Sequence, residues 1–159
     1  MKNNKGFTLI ELIVVLGLAG IVMSVVMSFF ITNYKSYETI NAESEVQYQS
    51  QYIINFLTNK ILAAESFEGK TGNKFIFKYE DEDEGEITAT FELDEENNKI
   101  KYTYDTEPPV DIGKYVKKLI IEPNGTNISE VKITLILEKG NDEEGYKAEQ
   151  VVYMRNSKN

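Results

Sequence analysis

The chain contains no cysteine and no histidine among its 159 residues. Without cysteine there are no disulfides, no thiol nucleophile and no thiolate metal site. Without histidine the commonest general base and the commonest metal ligand are missing. What remains for catalysis is a carboxylate pair or a lysine-activated hydroxyl. No motif marks either, so no catalytic residue, metal ligand or cofactor site is assigned and the chain reads as a non-enzyme. Arginine occurs once, at Arg155, and proline is absent before Pro108. The formal net charge is −9, which argues against direct nucleic-acid binding by a folded domain, because phosphate recognition needs a basic surface.

Acids are also missing from one particular place. From Leu12 to Tyr34 no residue is charged, and of the 26 acidic residues only Glu11 precedes Tyr37. The first six residues, MKNNKG, are short, polar and basic through Lys2 and Lys5. The next 25, Phe7 to Ile31, are almost entirely apolar and carry the single charge of Glu11. About 20 apolar residues cross a bilayer as a helix, so this run is long enough to span with some tilt. Lys2 and Lys5 hold its start in the cytoplasm and leave the remainder outside. A secretory signal would have an apolar core of about 7–15 residues and a small-x-small cleavage site after it. Here the run is longer, and the cut it invites lies before it.

Gly6-Phe7-Thr8-Leu9-Ile10-Glu11 resembles the motif that opens type IV prepilins and the pseudopilins of type II secretion and competence systems. The resemblance covers about the first 30 residues. It implies cleavage after Gly6 by a membrane-embedded prepilin peptidase and methylation of the new amine on Phe7. It further implies that Glu11 neutralises the amine of a neighbouring subunit during assembly. Such a pair attracts strongly in an apolar filament core, where either charge alone is costly. The partners implied are the peptidase, other pilin subunits, an inner-membrane assembly platform, and the membrane before assembly. Nucleic acid would enter only through a DNA-uptake pilus. The implied location is the cytoplasmic membrane, single-pass with the head outside, and then a pilus or pseudopilus at the cell surface. Major pilins commonly carry a proline near the position of Ser28, and its absence points to a minor pilin or pseudopilin. Gln47 to Ala64 resembles the corresponding region of PilW-type minor subunits. The rival reading is a single-pass membrane-anchored extracellular binding protein, in which Glu11 is simply tolerated near the membrane edge.

Beyond Ile31 the helix is expected to continue, since Thr32 to Ala64 contains neither proline nor glycine. Phe7 to Ala64 would reach about 87 Å at 1.5 Å per residue. The middle is polar, and then Val46, Ile53, Leu57, Ile61 and Ala64 recur at helical spacing, with Gly69 or Gly72 as the expected stop. After Gly72 the period changes to two. Phe75, Phe77 and Tyr79 form one apolar face. Four more alternating segments follow through Ile87–Leu93, Ile100–Tyr104, Leu119–Ile121 and Val131–Leu137, and a last one near Lys147–Met154. The expected architecture is α+β, type IV pilin-like: a long N-terminal helix, membrane-spanning in its first half and amphipathic in its second, packed on an antiparallel sheet. The divisions are a leader at 1–6, an assembly half-helix at 7–31, an amphipathic half-helix at 32–68 and a sheet head at 73–155.

Several smaller features read as ordinary surface. Asp81–Gly85 and Asp94–Asn98 are hairpin turns, and the acidic runs at 81–84 and 142–144 are solvated charge, lacking the ligand spacing of a calcium loop. Asn124-Gly125-Thr126 and Asn127-Ile128-Ser129 match glycosylation sequons but read as turn chemistry. Tyr34 and Tyr37 are expected to face neighbouring subunits, and Tyr52 the sheet. Lys114, Lys117 and Lys118 do not share one face under strand alternation, so they make no basic patch.

Overall fold

The computed structural model describes residues 6–81, 85–124, 127–139 and 145–155. Helix α1 runs from Leu9 to Ala63, and the chain divides into two units, Met1–Asn41 and Ala42–Asn159. In the first unit every described residue is exposed, and α1 here is long and apolar enough to cross a membrane. In the second unit the remaining turns of α1 bury one stripe: Val46, Ser50, Ile53, Leu57 and Ile61. Their spacing of three and four residues keeps them on one side of a helix with 3.6 residues per turn.

That stripe packs against two antiparallel sheets, an α+β architecture of type IV pilin-like kind. The larger sheet has strands β1 (Ser66–Thr71), β2 (Lys74–Asp81), β3 (Gly85–Asp94), β4 (Lys99–Tyr104) and β5 (Val110–Gly113), in that spatial order. The smaller has β6 (Val116–Asn124), β7 (Asn127–Leu137) and β8 (Tyr146–Tyr153), again in chain order. Every neighbour is the next strand in sequence, the simplest path for a chain of short connections. Inward-facing Phe75, Phe77, Ile87, Ala89, Phe91, Ile100, Val131, Ile133, Leu135 and Val152 join the helix stripe in a single core. The outward faces carry ion pairs instead, with Lys78 reaching Glu68 (2.7 Å) and Glu86 (2.6 Å), and Glu149 held by Lys132 (3.1 Å) and Lys147 (2.9 Å). Such exposed pairs contribute little to stability and keep the outer faces soluble.

Three expectations change. The helix ends at Ala63 instead of Gly69 or Gly72, because its last groups find partners earlier. The Lys60 carbonyl accepts from the Tyr79 hydroxyl (3.0 Å) and the Leu62 carbonyl from the Arg155 N–H (3.0 Å), while the Glu65 N–H has already joined β2 at Lys78 (2.8 Å). Among the described residues, eight strands in two sheets replace six in one. Strand β1 lies in a stretch read as helix tail, and β5 is four residues for which no strand was expected. Lys117 and Lys118 are both exposed between buried Val116 and Leu119, because the register shifts between Val116 and Lys118 and breaks the alternation. The turn at Asp94–Asn98 is present, with the Asp94 carboxylate accepting from the Asn97 N–H (3.1 Å). Residues 82–84, 125–126 and 140–144, with the acidic runs and sequons expected there, lie largely outside the described residues.

The two sheets meet at Tyr115, a bulky residue with φ of 64°, in the left-handed region that such side chains rarely occupy. Tertiary contacts hold it there. Its hydroxyl donates to Glu45 on α1 (2.9 Å), its carbonyl accepts from the Glu138 N–H (2.8 Å), and Lys139, which is paired with Glu45, lies 5.1 Å from the ring centre. Two residues earlier Gly113 passes so close to α1 that an added Cβ would stand 2.4 Å from Ile53 Cδ1.

Two predictions follow from these joints. Gly113→Ala should lower the unfolding free energy of the full chain in detergent by about 1–3 kcal/mol, since Ile53 is fully enclosed and cannot yield. Combined with Ile53→Ala, which removes both clashing carbons (Cδ1 and Cγ1), the substitution should cost less than the sum of the two single changes in the same thermal melt. The Glu45 carboxylate is held below its ordinary 4.5, first by Lys139 and then by the Tyr115 hydroxyl. A depressed folded-state value contributes stability above the unfolded value, and that contribution is lost as pH falls through the folded one. Melting temperature should therefore drop on acidification below about 4.5, and Glu45→Gln should flatten part of that drop. Parallel pH profiles for wild type and variant would contradict the assignment.

Candidate functional site

The candidate site is the start of α1. Gly6, Phe7 and Thr8 precede the helix in extended or irregular backbone, and all three are exposed. An extended, open segment before a helix is what a protease can take into its active site, since cleavage requires the backbone to be free of helical hydrogen bonds. An added Cβ at Gly6 would meet no atom within 4 Å, so the fold itself does not require glycine there. Any need for glycine at this position comes from outside the chain.

Thr8 and Glu11 form a capping box, the reciprocal arrangement that closes a helix N-terminus. The Thr8 N–H and the Thr8 hydroxyl both donate to Glu11 Oε2 at 2.9 Å, and the Glu11 N–H donates back to Thr8 Oγ1 at 3.4 Å. The first intrahelical bond follows, from the Leu12 N–H to the Thr8 carbonyl (3.3 Å). A carboxylate in the first turn is also favoured by the helix dipole. Glu11 thus has a local role in one copy of the chain, which the sequence analysis did not assign. The signal was available as Thr-x-x-Glu immediately before an apolar run.

Around this carboxylate Phe7, Ile10, Val14 and Val15 line an open hollow of about 370 Å³. Phe7 is 89% exposed and Ile10 71%. The hollow is apolar apart from the Glu11 carboxylate, its one ionisable group. Among the described residues no group of three or more acidic side chains could hold a metal ion.

The other residues singled out in the sequence lie elsewhere. Tyr34 and Tyr37 are exposed on α1. Tyr52 is not turned into the sheet. It is about half exposed, stands 6.5 Å from Phe56, and with Tyr48, Ile112 and Gly113 lines an open cleft of about 220 Å³ beside β5. Lys117 is paired with Glu138, and Lys114 stays exposed at the rim of that cleft.

With this geometry in place, comparison with known proteins gives one match. Residues 1–27 fit the family model described as the prokaryotic N-terminal methylation motif, which is of prepilin and pseudopilin type. The match covers the first 27 of the 159 residues and is consistent with an N-terminus of prepilin or pseudopilin type. No curated protein and no solved structure matches the chain.

Removing the cap tests the local role of Glu11. Thr8→Val in detergent micelles should accelerate amide hydrogen exchange at Ile10 and Glu11 while leaving Val22 unchanged. Unchanged exchange at the first turn would show that the box contributes nothing to its order.

Proposed function

We propose that this chain, whose N-terminus carries a prepilin-type methylation motif, is a minor pilin or pseudopilin cut after Gly6, methylated on Phe7 and polymerised through α1. The observation that carries the reading is the coincidence, within six residues, of an open Gly6–Phe7 bond, an apolar helix and one carboxylate in its first turn. The precursor waits in the cytoplasmic membrane with its head outside. Hydrolysis of the Gly6–Phe7 bond removes Lys2 and Lys5, leaving 15 basic residues against 26 acids and moving the formal charge from −9 to −11. It also removes the cytoplasmic positive anchor and thereby eases extraction of the helix.

Cleavage converts the Phe7 amide into a cation next to Thr8, whose N–H already reaches Glu11. In a stored subunit the capping box keeps the Glu11 carboxylate hydrogen-bonded within its own chain. In a filament the carboxylate exchanges part of this cap for the methylated amine of a neighbour. The apolar hollow of Phe7, Ile10, Val14 and Val15 excludes water from that pair, and exclusion of water is what makes its attraction large. The minor or pseudopilin assignment is supported by the absence of proline from the whole of α1, and the likeness of Gln47–Ala64 to PilW-type subunits supports the minor branch.

Intact-mass and N-terminal peptide analysis of the protein from its host tests the pathway. A chain beginning at N-methylated Phe7 is the expected result. Gly6→Leu should stay at full length, and Glu11→Val should be cut but fail to enter filaments. A mature wild-type chain that still begins at Met1, in cells with an active prepilin peptidase, would sink the proposal in favour of a plain membrane-anchored binding protein.

A further inference from the structure

The polar side chains at the outer end of the apolar run do not behave as a water-facing boundary. Ser24 donates its hydroxyl to the Ile21 carbonyl (2.7 Å), Thr32 to the Ser28 carbonyl (3.0 Å), and Asn33 its amide to the Phe29 carbonyl (2.7 Å). The hydroxyls of Ser24 and Thr32 and one of the two Asn33 amide N–H groups are satisfied on the helix itself, which favours their entry into lipid. The uncharged surface extends two residues past Ile31, to Asn33; Ser36 and Thr39 bond back in the same way (3.0 and 3.1 Å), so the charge of Lys35, and not these bonds, sets its end. Immediately beyond it come Tyr34, Lys35 and Tyr37.

We propose that Tyr34 and Tyr37, with Lys35 between them, seat the stored subunit in the phospholipid headgroup layer on the outer side of the membrane. This inference rests on the membrane-stored precursor reading and deepens it by naming the contact that sets the depth of the helix. From Glu11 to Ile31 there are 20 residue steps, or about 30 Å of helix, which equals the thickness of the hydrocarbon core. With Glu11 at the inner edge, Tyr34 stands about 4–5 Å beyond the outer one. Both tyrosines are left uncovered by the chain, at 64% and 65% exposure, and three residues apart they share one side of the helix. The Tyr34 hydroxyl lies within interaction range of the Glu38 carboxylate, one turn further from the apolar run, which draws its polar tip away from that run. Ring toward hydrocarbon and hydroxyl toward water is the arrangement that concentrates tyrosine at membrane interfaces. Lys35 adds a cation at the level of the lipid phosphates. The inner end is held by Lys2 and Lys5, which cleavage removes, so after processing the tyrosine pair is the remaining anchor that extraction must break.

The chain has no tryptophan, so each of four variants, Leu18→Trp, Tyr34→Trp, Tyr37→Trp and Asn41→Trp, carries a single indole. The full-length chain of each is reconstituted into phosphatidylethanolamine–phosphatidylglycerol vesicles and quenched with nitroxide lipids labelled at the headgroup or deep in the acyl chain. Leu18→Trp should be quenched best by the deep label, and Tyr34→Trp and Tyr37→Trp severalfold better by the headgroup label. Asn41→Trp should respond only to aqueous iodide. If Leu18→Trp behaves as expected but Tyr34→Trp and Tyr37→Trp respond to iodide alone, or to the deep label, the headgroup anchor is wrong and the spanning helix stands. If Leu18→Trp also escapes the lipid labels, the spanning reading fails and takes this one with it.

Discussion

The head is organised around one narrow contact, the stripe of α1 formed by Val46, Ser50, Ile53, Leu57 and Ile61. Residues of both sheets join this stripe in a single buried core. The constraint propagates outward. Because Ile53 presses on β5, position 113 has room only for a glycine. Because the chain must then turn sharply from one sheet to the other, Tyr115 is held in a left-handed conformation and needs Glu45 and Lys139 to keep it there. Truncating a central member of the stripe such as Leu57 would be expected to cost about 2–5 kcal/mol, a large share of the stability of a domain this size.

The same helix serves two solvents by two different devices. In the turns that meet the sheets it hides apolar side chains and leaves polar ones in water. In the apolar N-terminal run it does the reverse, and its few polar groups are satisfied internally. Ser24, Thr32 and Asn33 bond back to carbonyls three or four residues earlier, and Glu11 is occupied by Thr8. A helix with its polar groups closed in this way can reside in lipid and later move into a protein filament, since neither environment has to supply hydrogen bonds to it. Under the proposed function Glu11 is the exception, a carboxylate that exchanges part of its cap for the charged amine of a neighbour.

How far the sequence could be read varied with the range of the interactions involved. Gly6, Phe7 and Glu11 stood out because their signals are contiguous, and the model matching residues 1–27 rests on the same stretch. The capping box was equally local and equally visible as Thr-x-x-Glu, but attention to the charge of Glu11 hid its hydrogen bonds. The period-two segments marked six strands well. Strand β1 was missed because Ser66–Thr71 contains glycine and charge and no alternation, and it exists because β2 offers it a paired edge. Strand β5 was missed because four residues after two prolines carry too little pattern to read.

What the sequence alone determined is therefore what depends on near neighbours: a polar start with two lysines, an uncharged run long enough for a bilayer, a helix without proline, and strands that alternate. Those properties follow from local sterics and from the match between residue periodicity and a two-sided environment. What only the tertiary structure decided is where elements stop and how they join. The end of α1 at Ala63, the division into two sheets, the left-handed Tyr115 and the paired lysines beside Val116 all depend on partners distant in sequence. A backbone group takes whichever hydrogen-bond partner folding brings to it, and no local pattern records which one that will be.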